Sequence, residues 1–481
     1  MTISWIRCRV AVLAFVPLAA TGLLNTGLCA EPLASPESQG VLSDRIVDWI
    51  EANEAAFDAM HGFVIRRHGR VIAEGTWAPF DTLNKPHMLY SHSKSFTSTA
   101  VGFLVDDGKL DLDERVVDIF PEMLPTNVCE NLRQLRVRDL LTMNVGAENT
   151  KPVRRPLVDD WVRAFLANPI EHAPGTKFKY NSMATFMLSA IVRRKAGCDL
   201  MDFLNERLFV PLSFGEVWSG TSPDGTPCGG WGMNMTTRDL AKFGQLYLDG
   251  GCWDGHRLLS EEWVTMATAR QTWSGPIAIT GEDGSDWHQG YGFQFWRCRH
   301  GAYRADGADG QLTVVLPNEN AVVSVSAGLK DMQKELNLIW EHLLPAFCQH
   351  PQEENPVAVL RLRKKCAGLK IPALKGEAVS RSLPCVCEKV EGDCPFGFKS
   401  LRLEKTSFGW DATEGGRLLA IGDGDYALTD WEFSKDRVEP LFALTMVRKV
   451  AACGAWSADG RRFTVKWYVL GGIQRGEFFI Q

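Results

Sequence analysis

Two strand-rich stretches lie on either side of a long helical region, and this arrangement limits the folds that the chain can adopt. Residues 62–74 read as two strands joined by a His68-Gly69 turn. Residues 290–296, 313–316 and 321–326 read as further strands, and residues 304–311 as a turn-rich strand edge. Between them, apolar side chains recur at helical spacing, as in 183–197 and 237–248. Because strands from both ends of such a region can meet in one antiparallel sheet, we predict an α+β fold.

The composition is that of a globular protein. The chain has 481 residues, of which 45% are hydrophobic and 23% are charged. This length suffices for a large core and for more than one domain. The formal net charge is -6 at pH 7, and there is no long basic run. These features argue against a nucleic acid as the main partner.

The N-terminal stretch has the layout of a secretory signal peptide. Arg7 and Arg9 precede an apolar run from Val10 to Leu24, and Leu28-Cys29-Ala30 offers a cleavage site. We therefore predict a signal peptide over residues 1–30 and an exported protein, periplasmic or secreted. A single-pass anchor is the alternative, but the run is short and is broken by a proline. No other segment is long and apolar enough to span a bilayer, so we expect no stable membrane insertion after signal removal.

The cysteines cluster toward the C-terminal end. The chain has 13 cysteines, and five of them fall in one region: Cys366, Cys385, Cys387, Cys394 and Cys453. In an exported protein this clustering favours one or two disulfides. A zinc site is the alternative, but no paired C-x-x-C motif supports it. We expect neither a metal nor a cofactor.

The pattern changes after the last predicted helix of the first region, Met332 to Leu344. Residues 349–379 are rich in Pro, Lys and Glu, which is typical of a linker. From residue 380 onward the chain shows only short strand-like runs separated by Gly or Asp turns. We therefore predict a first domain over residues 31–348, a linker over 349–379 and a small all-β C-terminal module over 380–481.

The stretch from Tyr90 to Phe96 opens a helix that we predict to end at Gly108. Ser91 and Lys94 are three positions apart, so their side chains lie on the same helix face. At a helix N-terminus the free N–H groups favour an oxyanion, and they push a desolvated lysine toward its neutral form. A neutral amine beside a hydroxyl can activate it as a nucleophile. The alternative is an ordinary helix start, with Ser91 as the N-cap and Lys94 solvated.

Three stretches together resemble the serine β-lactamase-like hydrolases. They are Ser91-His92-Ser93-Lys94-Ser95-Phe96-Thr97-Ser98-Thr99, Phe178-Lys179-Tyr180-Asn181-Ser182 and Ala305-Asp306-Gly307-Ala308-Asp309-Gly310-Gln311. This superfamily contains the penicillin-binding proteins and the class C β-lactamases. The chain is more similar to the esterase and amidase branch, which includes 6-aminohexanoate-dimer hydrolases. The resemblance covers residues 40–345 and implies a β-lactamase/transpeptidase-like antiparallel sheet flanked by helices, with a helical subdomain.

The resemblance also implies roles for individual residues. Ser91 would be the acylated nucleophile, and Lys94 would share its proton with Ser91 and Tyr180. Tyr180, held phenolate-like by the lysine charge, would be the base in acylation and the acid toward the leaving group. The alternative for Tyr180 is a core tyrosine at the start of a helix. The residues implied to form the oxyanion hole and the substrate site are Ala308, Ser182, Asn181, Asp306 and Gly307.

The resemblance implies two different functions for the residues of this set. The backbone N–H groups of Ser91 and Ala308 would form the oxyanion hole. Asn181 and Ser182 would orient Lys94 and the substrate. For the glycines of the third stretch, plain turn geometry is the alternative.

The chain departs from the family pattern at two motifs. The family places Asn two residues after Tyr, where this chain has Ser182. It begins the third motif with Lys or His, where this chain has Ala305-Asp306-Gly307. That cation holds the substrate carboxylate in penicillin-recognising members, and Asp306 would repel a carboxylate unless Arg304 compensates. We therefore predict weak or absent β-lactamase and D-alanyl carboxypeptidase activity.

These observations predict an exported serine hydrolase that cleaves a small-molecule ester or amide. A non-catalytic penicillin-binding-like sensor is one alternative, and a peptidase acting on D-amino-acid or cell-wall peptides is another. The joint presence of Ser91, Lys94 and Tyr180 argues against a sensor. A peptidase would need a charge anchor, which the sequence does not reveal. Trp231, Trp287 and Trp296 can line an acyl or aromatic pocket, although such residues more often belong to the core. The substrate and the oligomeric state stay open.

Overall fold

The computed structural model describes residues 31–151, 159–276, 284–376, 389–392, 394–433 and 448–480, with the backbone alone at 385–387 and 447. The predicted signal peptide, residues 1–30, lies outside the described residues. Within the described ranges, no helix is both long and apolar enough to cross a membrane.

Helices fill the middle of the chain and flank its first sheet. In chain order, the α-helices of the described residues are α1 (Ser43–Ala56), α2 (Ser93–Asp106), α3 (Val116–Ile119), α4 (Glu130–Gln134), α5 (Val137–Leu141), α6 (Trp161–Leu166), α7 (Ser182–Ala196), α8 (Leu200–Leu204), α9 (Thr237–Leu248), α10 (Glu261–Thr268), α11 (Met332–Leu338) and α12 (Pro356–Ala367).

The strands fall into two large sheets and two short pairs. In chain order they are β1 (Met60–Arg67), β2 (Arg70–Thr76), β3 (His87–Met88), β4 (Asn234–Met235), β5 (Cys252–Trp253), β6 (His256–Arg257), β7 (Trp296–Arg297), β8 (Tyr303–Gly307), β9 (Gln311–Leu316), β10 (Ala321–Ala327), β11 (Cys385–Cys387), β12 (Val390–Gly392), β13 (Leu401–Lys405), β14 (Gly409–Glu414), β15 (Arg417–Gly422), β16 (Ala427–Glu432), β17 (Val447–Trp456), β18 (Phe463–Val469) and β19 (Arg475–Ile480).

The first sheet joins strands from both ends of the helical region. Its order is β2-β1-β10-β9-β8-β7, and each neighbouring pair is antiparallel. β1 lies between its hairpin partner β2 and the distant strand β10, so the two ends of the region meet in one sheet. The prediction of an α+β fold is confirmed.

Each face of the first sheet carries its own helical layer. Side chains alternate between the two faces of a strand. Phe63 of β1 meets the ring of Trp49 on α1 at 5.2 Å between centroids, and Val64 packs with Ala241 of α9 on the other face. At Gly244 a Cβ would stand only 2.6 Å from Thr313, so glycine lets α9 lie directly on β9. Helix α9 thus lies between the first sheet and the core of the helical region.

Helix α2 is the centre of the helical region. Every residue from Ser93 to Leu104 is buried, which is typical of a helix surrounded by protein on all sides. Its buried hydroxyls find backbone acceptors: Ser95 Oγ donates to Gln294 O at 2.7 Å and Ser98 Oγ donates to Phe293 O at 2.8 Å. These contacts hold α2 in place, and with it the residues at its N-terminal end.

The segment 290–296, predicted as a strand, is mostly irregular. Only Trp296 at its end belongs to a strand, the two-residue β7. Gln294 has a positive φ of 66°, which breaks the extended backbone. Its side-chain amide donates to Leu140 O at 3.2 Å and Leu141 O at 2.7 Å, so it ties the segment to α5. The strand prediction for these residues is therefore wrong except at their C-terminal end.

The segment 349–379, which the composition predicts to be a linker, contains helix α12. Arg361 and Lys365 of this helix form ion pairs with Asp44 and Glu54 of α1. The helix therefore packs on the outer layer of the first sheet. A charged composition is typical of a solvated helix face as well as of a linker, which is why composition alone did not reveal the helix.

The C-terminal residues form a second sheet. Its order is β11-β13-β14-β15-β17-β18-β19-β12, with β16 paired to β17. The described residues from 389 onward contain strands and turns without helices, so the predicted all-β character is confirmed. Tyr468 of β18 is buried in the core that also contains α1 and β1. Asp58 pairs with Lys466 and Arg475. The two sheets are thus in contact.

Two cysteines predicted as disulfide candidates carry free thiols. Cys366 and Cys453 are not disulfide-bonded. The sulfur of Cys453 instead accepts a hydrogen bond from the Leu374 N–H at 3.4 Å. The side chains of Cys385 and Cys387 lie outside the described residues. Cys366 and Cys453 therefore take no part in the one or two disulfides that the sequence favours for this region.

Candidate active site

Ser91 lies in a short turn at the entrance of α2. Residues Tyr90–His92 form a 3₁₀ turn directly before the helix. Tyr90 adopts a positive φ of 49°, a conformation that is strained for a bulky side chain and is typical of functional turns. His92 is fully buried, whereas Ser91 is half-buried. The turn therefore presents the Ser91 hydroxyl at the surface of an otherwise buried helix.

Lys94 is buried directly beneath this hydroxyl. Only 1% of the residue is exposed. Its amine donates to Ser91 Oγ at 2.9 Å, Ser182 Oγ at 3.1 Å and Gly230 O at 2.6 Å. Burial lowers the pKa of Lys94 to about 7, and the nearby Asp306 charge acts in the opposite direction. A large fraction of Lys94 is therefore a neutral amine at neutral pH, able to accept a proton from Ser91.

Tyr180, from the second motif, contacts both Ser91 and Lys94 of the first motif. Its hydroxyl is hydrogen-bonded to Ser91, and its ring lies 4.9 Å from the Lys94 amine. Burial raises the pKa of Tyr180, and the Asp306 charge adds to this effect, while the hydrogen bond with Ser91 and the Arg304 charge oppose it. The phenol is thus neutral in the resting protein, in contrast to the phenolate-like tyrosine that the resemblance implies. Lys94 is the better proton acceptor of the two.

Ser182 and Asn181 differ in what they contact. Ser182 reaches the Lys94 amine, as the resemblance implies. Asn181 instead caps helix α7, because its side-chain oxygen accepts from the N–H groups of Met183 at 2.9 Å and Ala184 at 3.4 Å. These contacts make Asn181 the N-cap of α7, and its part in orienting Lys94 and the substrate stays a prediction. Asn is one of the preferred N-cap residues. The sequence could therefore have indicated this role, because Asn181 directly precedes the predicted helix.

The third motif supplies a buried ion pair where the family has an accessible cation. Arg304 Nε donates to Asp306 Oδ2 at 2.8 Å, and Arg304 is 0% exposed. The guanidinium also lies over the Trp287 ring, 4.3 Å from its centroid. Burial raises the pKa of Asp306, while the Arg304 charge lowers it. The pair is neutral overall and offers no free cation to a substrate.

Gly307 brings the end of β8 against the turn that carries Ser91. A Cβ at this position would stand 1.9 Å from Leu89 O and 3.1 Å from His92 N. Only glycine allows this approach. Ala308 follows directly and is exposed at the end of the strand. The third motif therefore lies next to Ser91, as the sequence predicts.

Two site features are not evident from motif spacing. Gly230, in the Gly-rich loop 229–232, supplies the shortest contact to Lys94. A Cβ at Gly230 would stand 2.7 Å from Ser182 O, so the loop needs glycine there. Trp296 stacks on Tyr180 at 5.7 Å between centroids and is half-buried. The Gly-rich composition of the loop was the only sequence signal for the first feature.

The described side chains include no group of three or more His, Cys, Asp and Glu residues that could hold a metal ion.

Comparison with known proteins identifies the family. A family model described as Beta-lactamase matches residues 50–342, more than half of the chain. The 6-aminohexanoate-dimer hydrolase of Paenarthrobacter ureafaciens is 28% identical over 282 residues, which cover 55% of this chain and 69% of that protein. Penicillin-binding protein 4 of Amycolatopsis lactamdurans is 27% identical over 252 residues, which cover 46% of this chain and 65% of that protein.

Solved structures share the fold. A penicillin-binding protein homologue from Caulobacter crescentus superposes with a TM-score of 0.50 at 18% identity, over 60% of this chain and 93% of that one. The hydrolase EstCE1, described as having promiscuous acyltransferase activity, superposes with a TM-score of 0.51 at 18% identity, over 62% of this chain and 98% of that one. The chain belongs to the β-lactamase family of serine hydrolases.

Proposed function

We propose that this protein cleaves a neutral ester or amide through an acyl-enzyme on Ser91, with Lys94 and Tyr180 as the proton-transfer groups. The observation that carries the proposal is the contact of the Lys94 amine with the Ser91 hydroxyl at 2.9 Å in a buried setting. An amine whose pKa is lowered to about 7 is close to the ideal for a general base at neutral pH.

The proton path follows from these contacts. Neutral Lys94 takes the Ser91 proton while the serine oxygen bonds to the substrate carbonyl carbon. The resulting ammonium returns its proton toward the leaving alcohol or amine through the Tyr180 hydroxyl, which donates one proton and accepts another. The bond from the carbonyl carbon to the leaving group breaks, and the acyl-enzyme remains. Water then attacks the same carbon while Lys94 takes a proton from it. The bond from the carbon to the Ser91 oxygen breaks, the acid is released, and Lys94 returns its proton to the Ser91 oxygen.

The oxyanion would be held by the backbone N–H groups of Ser91 and Ala308. The close approach of Gly307 to Leu89 O supports this, because it brings the strand end that precedes Ala308 next to the Ser91 turn. Preorganised donors of this kind are typically worth a factor of about 10²–10³ in kcat each.

The charge pattern favours substrates without a carboxylate next to the scissile bond. The Arg304 guanidinium is buried and paired with Asp306, so it cannot anchor a carboxylate from solvent. The half-buried rings of Trp287 and Trp296 lie edge to face at 5.0 Å beside Tyr180. Such rings suit an apolar acyl or alcohol group. The name of one relative, 6-aminohexanoate-dimer hydrolase, agrees with this class.

A hydrolysis screen tests this function. Purified wild type and Ser91→Ala are compared on p-nitrophenyl esters of increasing acyl length, on the matching anilides and on a chromogenic cephalosporin. We expect Ser91-dependent turnover of an ester or anilide and little turnover of the cephalosporin. Efficient cephalosporin hydrolysis would contradict the substrate class. The absence of any Ser91-dependent turnover would favour a non-catalytic binding protein.

Export is part of the proposal and rests on the pattern of residues 1–30. Expression of the full chain, followed by cell fractionation and N-terminal sequencing, tests it. Cleavage after Ala30 with the mature protein outside the cytoplasm supports export. An uncleaved chain in the cytoplasm contradicts it.

A further inference from the structure

The turn between β8 and β9 is held together from inside by Gln311. This side chain is 0% exposed. Its Nε2 donates to Ala327 O at 2.6 Å, Asp309 O at 3.2 Å and Ala308 O at 3.4 Å. The backbone of Gln311 is paired with that of Gly307 across this turn, and Gly307 lies against the turn that carries Ser91. One residue thus ties the turn that contains Ala308 to the end of β10 and to the strand end that lies beside the Ser91 turn.

Glu335 of α11 lies directly beneath the same turn. It is 1% exposed, and its Oε2 is 3.0 Å from the point where a Cβ of Gly310 would stand. Neither carboxyl oxygen has a hydrogen-bond partner among the described residues. A larger residue at position 310 would contact this carboxyl group directly, so the turn rests on Glu335.

The side chains of Gln311 and Glu335 both contain oxygen atoms that lack a hydrogen-bond partner among the described residues. These atoms are Oε1 of Gln311 and both carboxyl oxygens of Glu335. The point where a Cβ of Gly310 would stand is 3.0 Å from both Glu335 Oε2 and the Ala327 Cβ, and Ala327 O accepts the hydrogen bond from Gln311. An ionised carboxylate without a partner is very costly in such a setting, whereas a carboxylic acid has an O–H that can serve an acceptor.

We propose that Glu335, in its protonated form, is a positioning residue that holds the 308–310 turn and with it the N–H of Ala308 next to Ser91. The inference deepens the proposed function and rests on it. Glu335 does not touch the reacting atoms; it acts through the turn and through Gln311.

The surroundings of Glu335 agree with a neutral acid at physiological pH. The charges that act on Glu335 are those of Asp306 and Arg304 on β8. The other charged or titratable groups on α11 and on the segments next to it are Asp331 at its N-cap, Lys334 in the helix, Asp309 with its ion-pair partner Lys330, Asp286 with its partner Arg299, and His61 next to Gly328. Burial raises the pKa of Glu335 to about 8; the Asp306 charge adds to this effect and the Arg304 charge opposes it. Above that pH an uncompensated negative charge would develop beneath the turn.

The consequence is an alkaline limit on activity. As pH rises through about 8, Glu335 loses its proton and the turn loses its support. We expect the kcat of the wild type to fall on the alkaline side, by up to about tenfold for each pH unit once Glu335 is mostly ionised. Glu335→Gln keeps the shape and an N–H donor but cannot ionise, so its kcat at pH 7 should stay within about twofold of wild type and the alkaline fall should disappear.

Two further variants separate positioning from packing. Glu335→Met has a similar volume but neither donor nor charge; we expect a kcat about tenfold lower at every pH, with a smaller change in KM and no alkaline fall. Glu341→Gln, which changes an exposed carboxylate in the turn after α11, is the matched control and should leave the profile unchanged. An alkaline fall that persists unchanged in Glu335→Gln and Glu335→Met overturns the proposal.

Thermal unfolding tests the protonation state without relying on catalysis. Because the folded-state pKa of Glu335 lies above its unfolded value, its contribution to stability is complete below the ordinary glutamate pKa of about 4.3 and is lost as pH rises toward 8. The Tm advantage of Glu335→Gln over wild type should therefore grow from pH 5 to pH 9. A constant difference overturns the buried neutral acid. If the wild type shows no Ser91-dependent turnover while this trend is present, the proposed function fails and the protonated Glu335 stands.

Discussion

The amine of Lys94 lies 2.9 Å from the hydroxyl of Ser91, and it is held there by Ser182 and by the carbonyl of Gly230. Burial lowers the pKa of this amine to about 7. The neutral amine is the form that can accept the serine proton, and its fraction rises with pH. We therefore predict that kcat/KM falls about tenfold for each pH unit well below 7. A profile that is flat between pH 5 and 7 would contradict a lysine base.

Removal of the amine should have a much larger effect than removal of a surface lysine. Lys94→Met keeps most of the volume and removes the base, and we predict a loss of about 10²–10⁴-fold in kcat. Lys109→Met, at an exposed lysine after α2, is the control and should stay within about twofold. Steady-state kinetics on the best ester from the screen, with circular dichroism to check folding, measure both. Equal activity of the two variants would remove Lys94 from the mechanism.

Asn181 should matter for stability rather than for proton transfer. Because its side chain caps α7, Asn181→Ala should lower the free energy of unfolding by about 1 kcal/mol, and Asn181→Asp should retain the cap. Asp199→Ala removes the similar cap of α8 and provides a matched comparison. Urea unfolding measures all three. A large loss of kcat in Asn181→Asp with unchanged stability would restore the role implied by the resemblance.

The Arg304–Asp306 pair should behave as a unit. Removal of one partner leaves an unpaired buried charge, so we predict that Arg304→Met alone lowers the unfolding free energy by about 3–5 kcal/mol. The double variant Arg304→Met/Asp306→Leu should be more stable than that single variant, because no charge is left unpaired. If the double variant is instead the sum of the two single variants, the buried pair does not couple as described.

Two buried histidines lie near the contact between the two sheets, and we predict that they make the stability of the fold sensitive to acid. His61 Nδ1 and His87 Nε2 are 2.9 Å apart, and the ring of His61 stacks on Phe80, which in turn meets Tyr468 of the second sheet. Burial lowers the pKa of His87 to about 4 and that of His61 well below its ordinary value.

Because both folded-state pKa values lie below the unfolded one, the stability they contribute is present above pH ~6.5 and is lost as pH falls toward 4. We predict a fall in Tm over this window that is reduced in the double variant His61→Gln/His87→Gln. The exposed His256→Gln is the control. If Tm depends on pH in the same way in the double variant and in the wild type, the acid sensitivity does not come from His61 and His87.

Much of the fold was predictable because its signals are local. The hairpin of β1 and β2, the strands β9 and β10 and the helices α2, α7 and α9 have clear periodicity and clear end signals. The segment 290–296 was not predictable, because its aromatic residues suggest a strand while contacts of Gln294 with α5 impose an irregular backbone. Such contacts are tertiary and leave no local pattern.

The candidate site was predictable as three motifs, but its electrostatics were not. Spacing places Ser91 next to Lys94, and the resemblance adds Tyr180. The protonation states depend instead on burial and on charges from a distant strand, above all Asp306. The role of Glu335 is hidden for the same reason: its sequence context is that of an ordinary helix, and only the turn above it reveals the buried carboxyl group.

Intact-mass analysis after treatment with a fluorophosphonate probe tests the central claim most directly. Wild type at pH 7.5 should gain the mass of one phosphonyl adduct, and peptide mapping should place it on Ser91. Ser91→Ala should gain none, and Lys94→Met should react at least about tenfold more slowly. An adduct that forms equally in Ser91→Ala, or a wild type that stays unlabelled while it hydrolyses its ester, would contradict a Ser91 acyl-enzyme.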